Sequence, residues 1–186
     1  MKRPGSALLW VVAILMGWDA GALAGEDVFV RPSLDVCLQV KATAEKTFKK
    51  SFVLNDNAPF VYMSEDSEGA ITEIAGRGCS LSAKGTGVDF PDLPGVEDLK
   101  LQKALAGWTR ITDNAVYSGY GTSGGRSALT RDGNLMVIEV GWEATPKAEA
   151  LAAKKCPRMP VDACTKYIQP KEKLFTFNIF IARQAQ

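Results

Sequence analysis

Four cysteines constrain this chain more than any other feature: Cys37, Cys79, Cys156 and Cys164. They lie behind an N-terminal stretch that reads as an export signal, and an even number of cysteines in an exported chain reads as a disulfide framework. Four cysteines allow three pairings. Cys156 and Cys164 are close in sequence and flanked by Pro157 and Pro160, so they are expected to close a local loop, which leaves Cys37 with Cys79. No C-x-x-C pair is present to lower a thiol pKa, so both bridges read as structural.

Lys2 and Arg3 make a positive n-region, Ala7 to Met16 a short apolar h-region, and Ala22-Leu23-Ala24 a small-x-small cleavage site. A bilayer span needs about 20 apolar residues, more than this run supplies. The expectation is a cleaved secretory signal at 1–24 and a single extracytoplasmic domain at 25–186, periplasmic or secreted. No cysteine stands at a lipobox position, and no Asn-x-Ser/Thr sequon occurs.

Without Lys2, Arg3 and Asp19, the chain keeps 20 Lys and Arg against 20 Asp and Glu. Binding to nucleic acid depends on excess cations that displace phosphate counterions, so a nucleic-acid partner is not expected. No later run is long enough to span a membrane. No polybasic run stands out apart from Lys46, Lys49 and Lys50, which suit a solvated helix C-terminus.

Periodicity divides the chain into helices and strands. Ser33 is placed to cap a helix from Leu34 to about Lys50, whose apolar stripe is Cys37, Val40, Ala44 and Phe48. Asn55-Asp56-Asn57-Ala58-Pro59 reads as a turn. Strands are expected at 60–63, 70–75 and 77–84, the last burying Cys79, Leu81 and Ala83 on one face. A second helix over 96–107 follows, with Glu97 and Asp98 in its first turn and Leu101, Ala104, Leu105 and Trp108 as its core face. A strand over 109–117 and a glycine-rich loop over 119–125 come next. Asp132-Gly133 then marks a hairpin between strands at 126–131 and 134–143. A third helix starts at Pro146. A strand over 173–183 carries Phe175, Phe177, Ile179 and Ile181 on one side.

Tight turns cannot join parallel strands. The expected fold is therefore α+β: an antiparallel β-sheet covered by two or three helices and stabilised by two disulfides. The helix-then-strands unit recurs at about 34–84 and 97–143, without a residue-level self-match.

Catalytic motifs fail on inspection. Gly121-Thr122-Ser123-Gly124-Gly125 fits G-x-S-x-G, but the chain has no histidine to serve as base, and S-x-x-K is absent. The loop is instead a candidate ligand loop. Tyr117, Tyr120, Gly121, Ser123, Gly124, Gly125 and Arg126 would offer backbone N–H groups, phenols and a cation to a small anion or sugar. With no histidine and the cysteines in bridges, no metal site and no cofactor are expected. The acidic stretch at 65–69 reads as a solvated turn.

The leading expectation is a soluble, non-catalytic module binding a protein or envelope component. One alternative is a small carboxylate-dependent hydrolase acting on cell-wall or polysaccharide glycosidic bonds, with Asp89 and Asp92 as first candidates. Trp108 and Trp142, which could stack on a sugar, read as core residues. Another alternative is a small-ligand carrier with a pocket between sheet and helices.

Overall fold

The computed structural model describes residues 28–65, 68, 71–90, 96–111, 124–160 and 163–185. The expected signal at 1–24 lies outside them. The described chain is α+β, with three helices, two disulfides and a seven-stranded sheet in the order β2-β3-β1-β7-β6-β5-β4.

Helix α1 (Leu34–Phe48) forms where its stripe requires: Cys37, Val40, Ala44 and Phe48 are all buried. Ser33 takes the extended N-cap conformation, yet its hydroxyl makes no capping bond. Lys49 ends the helix in the left-handed region at φ 53°, which non-glycine residues seldom adopt. Helix α2 (Val96–Ala104) stops short of the expected Gly107. Leu101, Leu105 and Trp108 are buried as expected, whereas Ala104 is exposed. Helix α3 is Pro146–Lys155.

Strand β1 (Phe29–Val30) pairs in parallel with β3 (Ile71–Thr86) and antiparallel with β7 (Lys173–Gln184), so the sheet is mixed, not purely antiparallel. Strand β2 (Val53–Glu65) runs straight through the Asn55–Pro59 stretch expected to be a turn. The ladder slips between Asn55 and Ala58, and the Asn57 N–H bonds the Asn55 side-chain oxygen at 3.2 Å. The turn-forming residues make a bulge rather than a reversal. The two strands expected at 70–75 and 77–84 are one. Strand β3 changes neighbour near Gly76: residues 79–86 pair with β7, and Gly76 pairs with Phe29 of β1.

The tail of the sheet is a β-meander. Strand β4 (Thr109–Arg110) pairs with β5 (Gly124–Arg131), β5 with β6 (Asn134–Ala144), and β6 with β7. The β5–β6 turn is the expected Asp132-Gly133, with φ 51° and 74°, the signature of a type I′ hairpin.

On one face of the sheet, Cys79, Leu81, Met136, Ile138, Phe175, Phe177, Ile179 and Ile181 share a core cluster with buried side chains of α1, α2 and α3. Phe177 is central, with the Phe48 ring at 4.9 Å and Phe52 at 5.6 Å. Cys37–Cys79 ties α1 to β3 within this layer, Cα to Cα 6.5 Å, and Cys156–Cys164 closes the loop after α3.

The opposite face holds a smaller cluster: Phe29, Phe60, Tyr62, Ala128, Leu135, Val137 and Ala182. Phe60 and Tyr62 belong to β2, Ala128 to β5, yet β2 and β5 are far apart in strand order. The sheet therefore coils until its β2 side meets β5. Glycine permits the close approach of β3 to β1 and β7. A Cβ on Gly76 would lie 2.7 Å from Phe29 Cβ and closer still to the Phe29 carbonyl oxygen, and one on Gly78 would strike the Ile181 backbone.

Gly76→Val is accordingly expected to cost about 3 kcal/mol, the upper end for overpacking. Gly141→Ala, where an added Cβ meets nothing within 4 Å, should be nearly neutral. Urea unfolding of the two variants checks this, and equal losses would contradict the close approach at β1.

Candidate functional site

Arg126 is the one member of the expected ligand loop whose side chain is described, and it is no loop residue. Gly124 and Gly125 are ladder residues of β5, paired with Gly141 and Val140, so the positive backbone φ that a glycine turn would need there is not required. Tyr117, Tyr120, Gly121 and Ser123 lie outside the described residues.

The Arg126 side chain is only 5% exposed, and its Nε lies 3.2 Å from Glu139 Oε1 without hydrogen-bond geometry. Its Nη2 donates to the Val61 carbonyl oxygen at 3.4 Å, joining β5 to β2 across the coiled face. Tyr62, next along β2, is buried, and burial pushes its phenol above the ordinary tyrosine value against the opposing pull of Arg126. The phenol is thus neutral at physiological pH, a hydrogen-bonding group and no base.

Register fixes the surroundings. Opposed residues of an antiparallel pair share a face. Ser82 opposes Asn178, Asn178 opposes Glu139, and Glu139 opposes Arg126, so one polar row crosses β3, β7, β6 and β5. Beside it runs Lys84, Thr176 and Gly141. Ser82, Asn178, Thr176 and Glu139 are half-buried, and Lys84 is exposed. Next to the small apolar cluster, the coiled face therefore presents a strip of hydroxyl, amide and charged groups. Its guanidinium and carboxylate already neutralise each other. Such a strip is suited to hydrogen-bonded recognition.

The residues considered for sugar cleavage behave differently. Asp89 is a turn residue: Lys50 Nζ sits 2.8 Å from its Oδ1, and its Oδ2 accepts the Thr86 backbone N–H at 2.7 Å. Lys50 first, and then the Thr86 N–H, hold the Asp89 carboxyl below its ordinary value. Lys50 is thus an ion-pair partner rather than a merely solvated cation. Asp92 lies outside the described residues. Trp108 and Trp142 are both core residues, covered by Arg131 at 5.0 Å and Lys173 at 4.8 Å. A cavity of about 50 Å³ lined by Arg31, Pro32, Leu34, Cys37 and Asp56 is far below the usual ligand pocket. Among the described residues no three His, Cys, Asp or Glu side chains converge as metal ligands, and no helix is long and apolar enough to cross a membrane.

Two carboxylates carry a pH prediction. Glu45, held down by Lys41 and then by the Phe52 N–H, and Asp89 both have lowered pKa values. A lowered folded-state pKa contributes stability above the unfolded value and loses it as pH falls through the folded one. The melting temperature should therefore drop as pH falls below about 4. Asp89→Asn, which keeps an acceptor for Thr86 and removes the charge, should flatten part of that drop. An unchanged acid limb in this variant would contradict the pairing.

Sequence reasoning singled out Arg126 but missed Ser82, Asn178 and Glu139, which are single polar residues within apolar alternation. Only the register of four strands assembles them.

No protein-family model, curated protein or solved structure matches the chain.

Proposed function

We propose that this chain is an extracytoplasmic, non-catalytic binding module that recognises a protein or other envelope component through the polar half of its coiled sheet face. In this reading residues 1–24 direct export and are removed, and 25–186 form a single domain. The helices screen one face of the sheet and leave the other for the partner. The observation that carries the proposal is the Ser82–Asn178–Glu139–Arg126 row, half-open and internally charge-neutral. The two disulfides support an oxidising compartment, where such bridges persist.

Binding by the exported chain tests the reading. Wild type, immobilised over solubilised envelope, should retain a defined component. Asn178→Arg, which places bulk and charge in the middle of the row, should lose it by tenfold or more with the melting temperature nearly unchanged. Equal retention by both proteins would move the binding surface elsewhere.

A further inference from the structure

Between β6 and β7 the chain makes an excursion that closes on itself. Ala144 pairs with Lys173, the Thr145 N–H bonds the Glu172 carbonyl at 2.8 Å, and Cys156–Cys164 staples the middle. Residues 146–173 carry seven Lys and Arg against three Asp and Glu, a net +4 in a chain whose formal charge is +1. Lys147, Lys154, Lys155, Arg158, Lys166 and Lys171 are exposed, and none forms an ion pair among the described residues.

The placement of the apolar residues is informative. Ala148 and Ala152 are the buried positions of α3. Lys147, Leu151, Lys154 and Lys155 stand at i, i+4, i+7 and i+8, which puts them on one helix face. Leu151 is 43% exposed in the midst of these cations. Met159, 52% exposed, sits beside Arg158, and its N–H bonds the Cys156 carbonyl at 3.0 Å, which anchors it to the stapled turn.

We infer that this stapled excursion is a docking surface for an anionic phospholipid bilayer: the cations face the headgroups and Leu151 and Met159 enter the boundary layer beneath. Cations interleaved with exposed apolar side chains are the pattern of interfacial binding. A soluble polyanion would satisfy the cations and leave Leu151 and Met159 with nothing apolar to enter. The disulfide holds the surface ready, so little ordering entropy is lost on contact. This surface shares no residue with the polar sheet row, and either proposal can fail alone.

Co-sedimentation of the exported chain with phosphatidylglycerol/phosphatidylethanolamine vesicles, against phosphatidylcholine vesicles, tests it. Binding should require the anionic lipid and fall with salt. Near an anionic surface each cation strengthens binding about fivefold, so K154Q/K155Q should bind roughly 30-fold more weakly. Met159→Ser should weaken binding severalfold further, with circular dichroism unchanged in all variants. Equal binding to both vesicle types, no binding at low salt, or no effect of K154Q/K155Q would overturn the inference. So would a soluble polyanion such as polygalacturonate binding as tightly as the vesicles with Met159→Ser indifferent, because the partner would then be a polysaccharide.

Discussion

Phe177→Ala is expected to destabilise the protein by about 4 kcal/mol, the range for emptying a large aromatic site in a packed core. Phe177 is fully buried in the middle strand of the helix-side cluster. Its ring meets Phe48 from α1, Phe52 from the chain entering β2, and Phe90 from the turn after β3. Three separate segments thus lose a contact at once, and none can move in without dragging its own backbone. A chain of this size loses about 2–4 °C per kcal/mol, so the melting temperature should fall by roughly 10 °C. Urea unfolding gives the free energy directly. A loss below about 1 kcal/mol would mean that the aromatic cluster is not packed as described.

Removing Cys37–Cys79 by Cys37→Ala with Cys79→Ala should have a comparable effect. The bridge spans 42 residues, and in the chain-entropy account a loop of that length stabilises by about 4 kcal/mol. Cys156–Cys164 spans 8 residues, for which the same account gives about 2.5 kcal/mol. Both Cys37 and Cys79 are buried, so their loss also loosens the α1–β3 contact. The double variant should therefore unfold at lower urea than Cys156→Ala with Cys164→Ala. The reverse order would place the stabilising cross-link in the C-terminal excursion instead.

Local chemistry made several elements legible. Cys37 on a helical stripe and Cys79 on an alternating strand point into one core, and the structure joins them. Asp132-Gly133 marks its hairpin because few other dipeptides accept positive φ at both positions. The alternation of Phe175 through Ile181 survives because one face of β7 is buried throughout.

Other features depend on partners distant in sequence. Strand β1 has two residues, too few for any periodicity, and exists because β3 and β7 leave a place beside Gly76. The Asn55–Pro59 stretch carries turn chemistry that a bulge uses equally well. Asp89 resembled a free carboxylate, although Thr86-Gly87-Val88-Asp89 has the spacing of a side-chain-closed turn and could have signalled its structural role. The polar row was illegible for the same reason: Ser82, Glu139 and Asn178 are far apart in the chain, and each is unremarkable alone. The basic excursion forms no legible motif because its cations are scattered over 147–171 rather than gathered in a run.

The central claim is that the polar half of the coiled face is where a partner sits. Site-specific photocrosslinking tests it most directly, with a photoreactive residue placed singly at Ser82, at Thr176 and at the exposed Ala42 of α1 in the exported chain. The account predicts the same defined crosslinked species from positions 82 and 176 and none from position 42. A species captured from position 42 but from neither row position would contradict it and place the partner on the helices.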